Sequence, residues 1–292
     1  MGTSRPTKGP SPSTPIVPTW SDDSDKGPIP GGDGPQPDTT EDDPSADDGQ
    51  HQPEPAPRAP IKPPVLPDRF RTARSNFTRS AGSGGQDRDA MRRGIRDYVR
   101  NGTGGSGGAT RRMGSARSAA AGVLGVLRSI QTDGVEATLS KFNLGDLAGQ
   151  PIDQIFAGLT DVICEPGGNI NDSIATDAWI ETITELDQLG VDDLDSLSSE
   201  QIEGIFVSFI AHSIETRLYQ DIGSKGIQSG KDTDAVRAFE AQLKDYIFRA
   251  VSDSVPSDVS SVGNLNDAEI RSVVNQTYQD AWELLEIWGD EE

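Results

Sequence analysis

The chain has 292 residues, with 26 basic against 47 acidic side chains and a net charge of -21. Such acidity argues against adhesion of the whole protein to nucleic acid or to a membrane surface. A single cysteine, Cys164, excludes an internal disulfide.

Proline and charge are spread unevenly and divide the chain into three expected segments. Residues 1–67 hold 17 of the 20 prolines, one aromatic (Trp20) and a net charge of -6. A segment so poor in apolar surface cannot offset the entropy of ordering it, which predicts a disordered, extended tail. Residues 68–128 carry a net charge of +9, and all 13 of their basic residues are arginine. Residues 129–292 carry -24 and are expected to form an acidic helical domain. No apolar run reaches the about 18 residues of a membrane helix, and no N-terminal stretch resembles a signal peptide, so the expected location is cytoplasmic. Met1-Gly2 invites lipidation, but Pro6 fills the position where the myristoylation motif requires Ser or Thr.

In chain order, the spacing of Phe70, Ala73 and Phe77 predicts a first helix from about Asp68, broken by residues 80–85. Asp87 is the expected cap of a second, with Met91, Ile95, Tyr98 and Val99 on one side and Arg88, Arg92 and Arg96 on another. Asn101 and Gly102 supply its expected stop. A third helix is expected from about Ala109 to Ile130. Ile152, Ile155, Phe156, Leu159 and Ile163 then make one apolar stripe, and Trp179, Ile183, Leu186 and Leu189 another. Ser198 with Gln201 forms a capping-box pattern before the longest stripe, which runs from Ile202 through Phe206 and Ile210 to Leu218. Val236, Phe239, Leu243, Ile247 and Val251 follow. Asn266 with Glu269 opens a last helix reaching Trp288. Period-2 alternation is scarce, so the expected fold is all-α.

Candidate chemistry is sparse. Residues 102–107 match a Gly-x-Gly-x-x-Gly pattern formally, but a basic helix precedes it where a dinucleotide site needs a strand. Without a second cysteine or a paired histidine motif, a zinc site is not expected. His212 reads as a partly buried helix residue and Cys164 as packing. Asp192, Asp193 and Asp195 lack calcium-loop spacing and read as a helix N-terminal cluster. No catalytic residues, metal or cofactor are therefore expected. The arginines are the main chemical feature. Arg88, Arg92, Arg96, Arg111 and Arg112 could bind nucleic acid, a nucleotide or an acidic partner surface, because guanidinium groups grip phosphate and carboxylate bidentately. Equally, they could pair with the acidic segment of the same chain.

Met1-Gly2-Thr3-Ser4, Pro67-Asp68-Arg69-Phe70-Arg71-Thr72-Ala73-Arg74, Tyr98-Val99-Arg100-Asn101-Gly102-Thr103-Gly104-Gly105 and Asp221-Ile222-Gly223-Ser224-Lys225-Gly226, taken as an ordered set, resemble the QatB family. That family is the B subunit of the bacterial Qat anti-phage defence system. The resemblance implies a neighbouring ATPase, a QueC-like protein and a TatD-like DNase, and it brings no catalytic residues. QueC-like enzymes activate a deazaguanine carboxylate with ATP, and related defence proteins imply that a protein's N-terminal glycine can accept it. Gly2 fits that role as a modification site, with Thr3 and Ser4 as partner-binding residues. The expected function is a non-enzymatic subunit of a defence complex engaged by the QueC-like partner. A nucleic-acid-binding sensor using the Arg-rich segment is the alternative.

Overall fold

A computed structural model describes residues 68–164, 170–223 and 232–290. The expected tail, with Gly2, Thr3 and Ser4, lies outside the described residues. In chain order the helices are α1 (Arg71–Gly82), α2 (Arg88–Asp97), α3 (Ser106–Arg111), α4 (Gly114–Asp133), α5 (Val135–Lys141), α6 (Ile152–Gly158), α7 (Thr160–Ile163), α8 (Ile170–Thr184), α9 (Ser199–Ile222), α10 (Thr233–Ser252) and α11 (Asp267–Trp288). Among the described residues there is no strand, so the fold is all-α as the periodicity predicts.

Helix α9 begins where the capping box places it. The Gln201 amide donates to the Ser198 hydroxyl at 3.2 Å, and the Ser198 amide donates to the Gln201 side chain at 2.8 Å. Two otherwise orphaned donors are satisfied in this way. The sequence reading gave α9 a single apolar stripe, but every residue from 205 to 214 is buried. A helix buried all round occupies a core, and α4, α8, α10 and the 3₁₀ segment Ser257–Asn264 pack around it. Several of its polar residues are paired there, as where the hydroxyls of Ser213 and Tyr278 share a hydrogen bond of 2.7 Å. Each Ile or Phe withdrawn from water here contributes about 2 kcal/mol before entropy is counted.

The Arg-rich segment packs on the acidic one, and the described residues of both belong to one compact unit. Helix α1 packs on α2 and also contacts α10, while α11 packs on α2, α3, α4 and α10. Phe77 of α1 meets the edge of Phe239 of α10 at 6.0 Å. Asp87 caps α2 as expected, accepting from the Ala90 amide at 2.9 Å.

Several boundaries differ from the sequence reading. The first helix starts at Arg71, after a turn that brings Phe70 inward, and Asp68 is not its cap. Helix α2 does not stop at Asn101. It continues as a π-helical turn, Tyr98–Thr103, which closes on Gly104 at φ 82°. A side chain at Gly102 would place its Cβ 2.4 Å from the Phe70 ring, so this glycine is required by packing rather than by a phosphate. The expected third helix is two, α3 and α4, separated at Met113, whose φ of -93° and ψ of 26° leave the helix. Glycines at 107, 108 and 114 weaken helix propensity on both sides of that break. The Ile152–Ile163 stripe is likewise divided at Leu159. In the acidic cluster, Asp193 caps the 3₁₀ turn Leu194–Ser196. Asp195 instead reaches the start of α5, accepting from the Val135 amide at 3.0 Å.

Candidate functional site

Segments far apart in sequence converge on Asp221. Its carboxylate accepts from the Tyr98 hydroxyl at 2.8 Å, from one Arg112 nitrogen at 2.7 and 2.8 Å, and from Arg217 Nε at 3.2 Å. Phe70 stacks on Tyr98 at 5.1 Å, and Trp282 of α11 stacks on Tyr98 at 5.7 Å. Arg74 donates to the Ile222 carbonyl at 2.9 Å. Burial, followed by the Asp221 carboxylate, pushes the Tyr98 phenol far above its ordinary range and keeps it a donor. The residues around Phe70, Tyr98 and Asp221 that carried the family resemblance thus touch one another. With two guanidinium groups and a phenol already on one carboxylate, the cluster ties α2, α3 and α9 together.

The predicted arginines separate into three groups. Arg96 bonds Asp97 at 2.9 Å and reaches Asp290, after α11, at 3.4 Å. Its neighbour Arg100 pairs with Glu286 at 2.9 Å, and Arg112 is held by Asp221. Arg111 is exposed at the end of α3 and makes no ion pair among the described residues. Arg88 and Arg92 face another way. Together with Arg249 of α10 they line a cleft of about 180 Å³, completed by Met91, Gln242, Asp245 and Tyr246. The sequence reading set these arginines on a face away from Met91, whereas Met91 belongs to the same cleft. It also missed Arg249, which lies in the acidic segment. The available signal was local, since Gln242, Asp245, Tyr246 and Arg249 recur at i, i+3, i+4 and i+7 on one helix face.

A second polar cluster lies part-buried beside α9. Glu185 accepts from Lys244 at 2.6 Å and from the Ser208 hydroxyl at 2.7 Å. His212 Nε2 lies 3.0 Å from Glu185 Oε2, and its Nδ1 lies 3.6 Å from Glu215. Burial opposes charge on the imidazole, but the Glu215 and Glu185 carboxylates outweigh it and hold His212 above its usual pKa. Burial also pushes the Cys164 thiol up to about 11, so at neutral pH it is a thiol and not a nucleophilic thiolate. Among the described residues, no group of His, Cys, Asp and Glu side chains is arranged to hold a metal ion. No helix among them is long and apolar enough to cross a membrane.

The family model described as Qat anti-phage system associated protein QatB matches residues 104–285, more than half of the chain. The chain belongs to the QatB family. It is therefore a component of the Qat anti-phage defence system. The matched segment includes Arg112, Asp221, the His212 cluster and Arg249. Phe70, Tyr98, Arg88 and Arg92 precede it. No curated protein and no solved structure gives a significant match.

Proposed function

We propose that this chain is a non-catalytic binding subunit of the Qat assembly, engaged at Gly2 by a QueC-like partner and assembled with the system's ATPase and TatD-like DNase. What carries the reading is QatB family membership, combined with the way the chain uses its charged groups. Arg112–Asp221, Arg100–Glu286 and Lys244–Glu185 each join segments far apart in sequence. Side chains held in this way stabilise a binding scaffold and leave few groups free for bond-making.

Once the Met1–Gly2 bond is hydrolysed and Met1 removed, Gly2 would present an unhindered amine. An N-terminal amine has a pKa near about 8, so part of it is unprotonated at neutral pH. It would form an amide with the partner's activated carboxyl group, losing a proton as the activating group leaves. Thr3 and Ser4 would hydrogen-bond in the partner's pocket. The experiment is intact-mass measurement of the chain expressed with and without its neighbours, alongside Gly2→Pro. A mass increase that requires the QueC-like protein and vanishes in Gly2→Pro supports the reading. An unmodified Gly2, in a chain that does not co-purify with the QueC-like protein from a protective system, sinks it.

A further inference from the structure

We propose that the cleft between α2 and α10 binds a phosphate monoester, gripped by Arg88, Arg92 and Arg249. The site goes beyond the subunit reading and does not depend on Gly2. Its case begins with how the neighbouring arginines are satisfied. Arg79 and Arg93 both reach Asp87, Arg96 has Asp97, and Arg100 has Glu286 and Asp290. In a chain with 47 acidic residues, a partner is easily found. Arg88 and Arg249 are nevertheless exposed and make no ion pair among the described residues, although both line the same cleft as Arg92. Like charges gathered from two helices repel one another, so such a set is best stabilised by an anion placed between them.

The lining also selects the anion. The formal charges of the lining side chains, three guanidinium groups and the Asp245 carboxylate, sum to +2. A phosphate monoester carries about -2 at neutral pH, whereas a carboxylate or a phosphodiester carries a single charge. Guanidinium forks match the paired oxygens of a phosphate group and can bond it from several directions. Gln242 adds an amide that can donate to a phosphate oxygen. Size points the same way. The cleft, at about 180 Å³, is smaller than the about 300 Å³ at which pockets enclosing whole small molecules begin. It therefore takes the terminal phosphate and leaves the rest of the ligand outside. A free nucleoside monophosphate and the 5′-phosphorylated end of a nucleic acid both present that group.

The test uses the full chain and two matched pairs of probes. One pair is a single-stranded oligodeoxynucleotide with and without a 5′-phosphate, and the other is AMP and adenosine. In at least one pair the phosphorylated member should bind about tenfold tighter or more, as charge-assisted hydrogen bonds require. A preference in the AMP pair assigns the site to free monoesters, and one confined to the oligonucleotide assigns it to nucleic-acid ends. Arg249→Gln and Arg88→Gln should each erase the preference without moving the thermal midpoint. Arg249→Lys should keep part of it, and the distant Arg271→Gln all of it. Equal binding within both pairs overturns the proposal, as does an unchanged preference in folded Arg88→Gln and Arg249→Gln. Gly2→Pro should bind the probes normally, so failure of the amine modification and failure of this site are read separately.

Discussion

Tyr98 donates its phenolic hydrogen to Asp221 at 2.8 Å across 123 positions of chain, and the same carboxylate holds Arg112 and Arg217. The hub has an asymmetry that mutation can read. Tyr98→Phe removes one donor but leaves Asp221 paired with two arginines, and should cost about 2 kcal/mol, the worth of a hydrogen bond to a charged group. Asp221→Ala removes the shared acceptor and strands a phenol and two guanidinium groups, so it should cost about 3 kcal/mol or more. Urea denaturation of both variants checks the order. Equal losses would mean that the hub does not act as one unit.

Charge reversal should distinguish arginines that the sequence groups together. Arg96→Glu would set a second carboxylate against Asp97, which is buried and also held by Asn76 at 3.0 Å. It should destabilise the chain by about 2 kcal/mol. Arg88→Glu lies in an exposed position and should change stability by less than about 0.5 kcal/mol. Thermal unfolding reads both, and a large loss in Arg88→Glu would show that Arg88 is a strut like Arg96.

That contrast also marks where the sequence stops being informative. Capping boxes at Ser198 and Asn266 were legible because each pattern closes within a single turn of chain. The helical class was legible for the same reason, as periodicity is local. Pairing of Arg96 with Asp290 or of Arg112 with Asp221 was not, because it depends on which helix packs against which. Of the two open readings of the arginines, internal pairing holds for Arg96 and Arg112, while Arg88 and Arg92 line a cleft. Arg249 was overlooked because segment charge hid a single cation on the opposite wall. Asp195 shows the limit plainly, since the amide it caps belongs to Val135, 60 residues earlier.

Two glycines should respond to alanine with opposite signs. A Cβ at Gly102 would press on the Phe70 ring at 2.4 Å and disturb its stack on Tyr98, so Gly102→Ala should destabilise by about 1–3 kcal/mol. Gly125, inside α4, has nothing within 4 Å of its would-be Cβ. There the gain in helix propensity should dominate, and Gly125→Ala should stabilise by about 0.5–1 kcal/mol. Shifts of the thermal midpoint in the same direction would refute the packing account of Gly102.

The part-buried cluster beside α9 should make stability depend on pH in a defined direction. His212 is raised above its usual 6.5, since the Glu215 and Glu185 carboxylates overcome burial and the opposing charge of Lys244. A base with a raised folded pKa contributes its full stabilisation below the unfolded value, and that contribution is lost as pH rises through the folded one. Glu185 runs the other way. Burial alone would raise it, but hydrogen bonds from Lys244, Ser208 and His212 hold it below its usual 4.5. Its contribution is present above 4.5 and fades as pH falls through the lowered value. Between the two the cluster is fully charged and most stabilising. Raising the pH from about 6 to about 9 should therefore lower the thermal midpoint by about 2 °C or more, with His212 as the titrating group. In His212→Gln the midpoint should start lower at pH 6 and stay nearly flat across the same interval. Parallel curves for the two proteins would show that His212 is neutral throughout and that Glu185 is held by Lys244 and Ser208 alone.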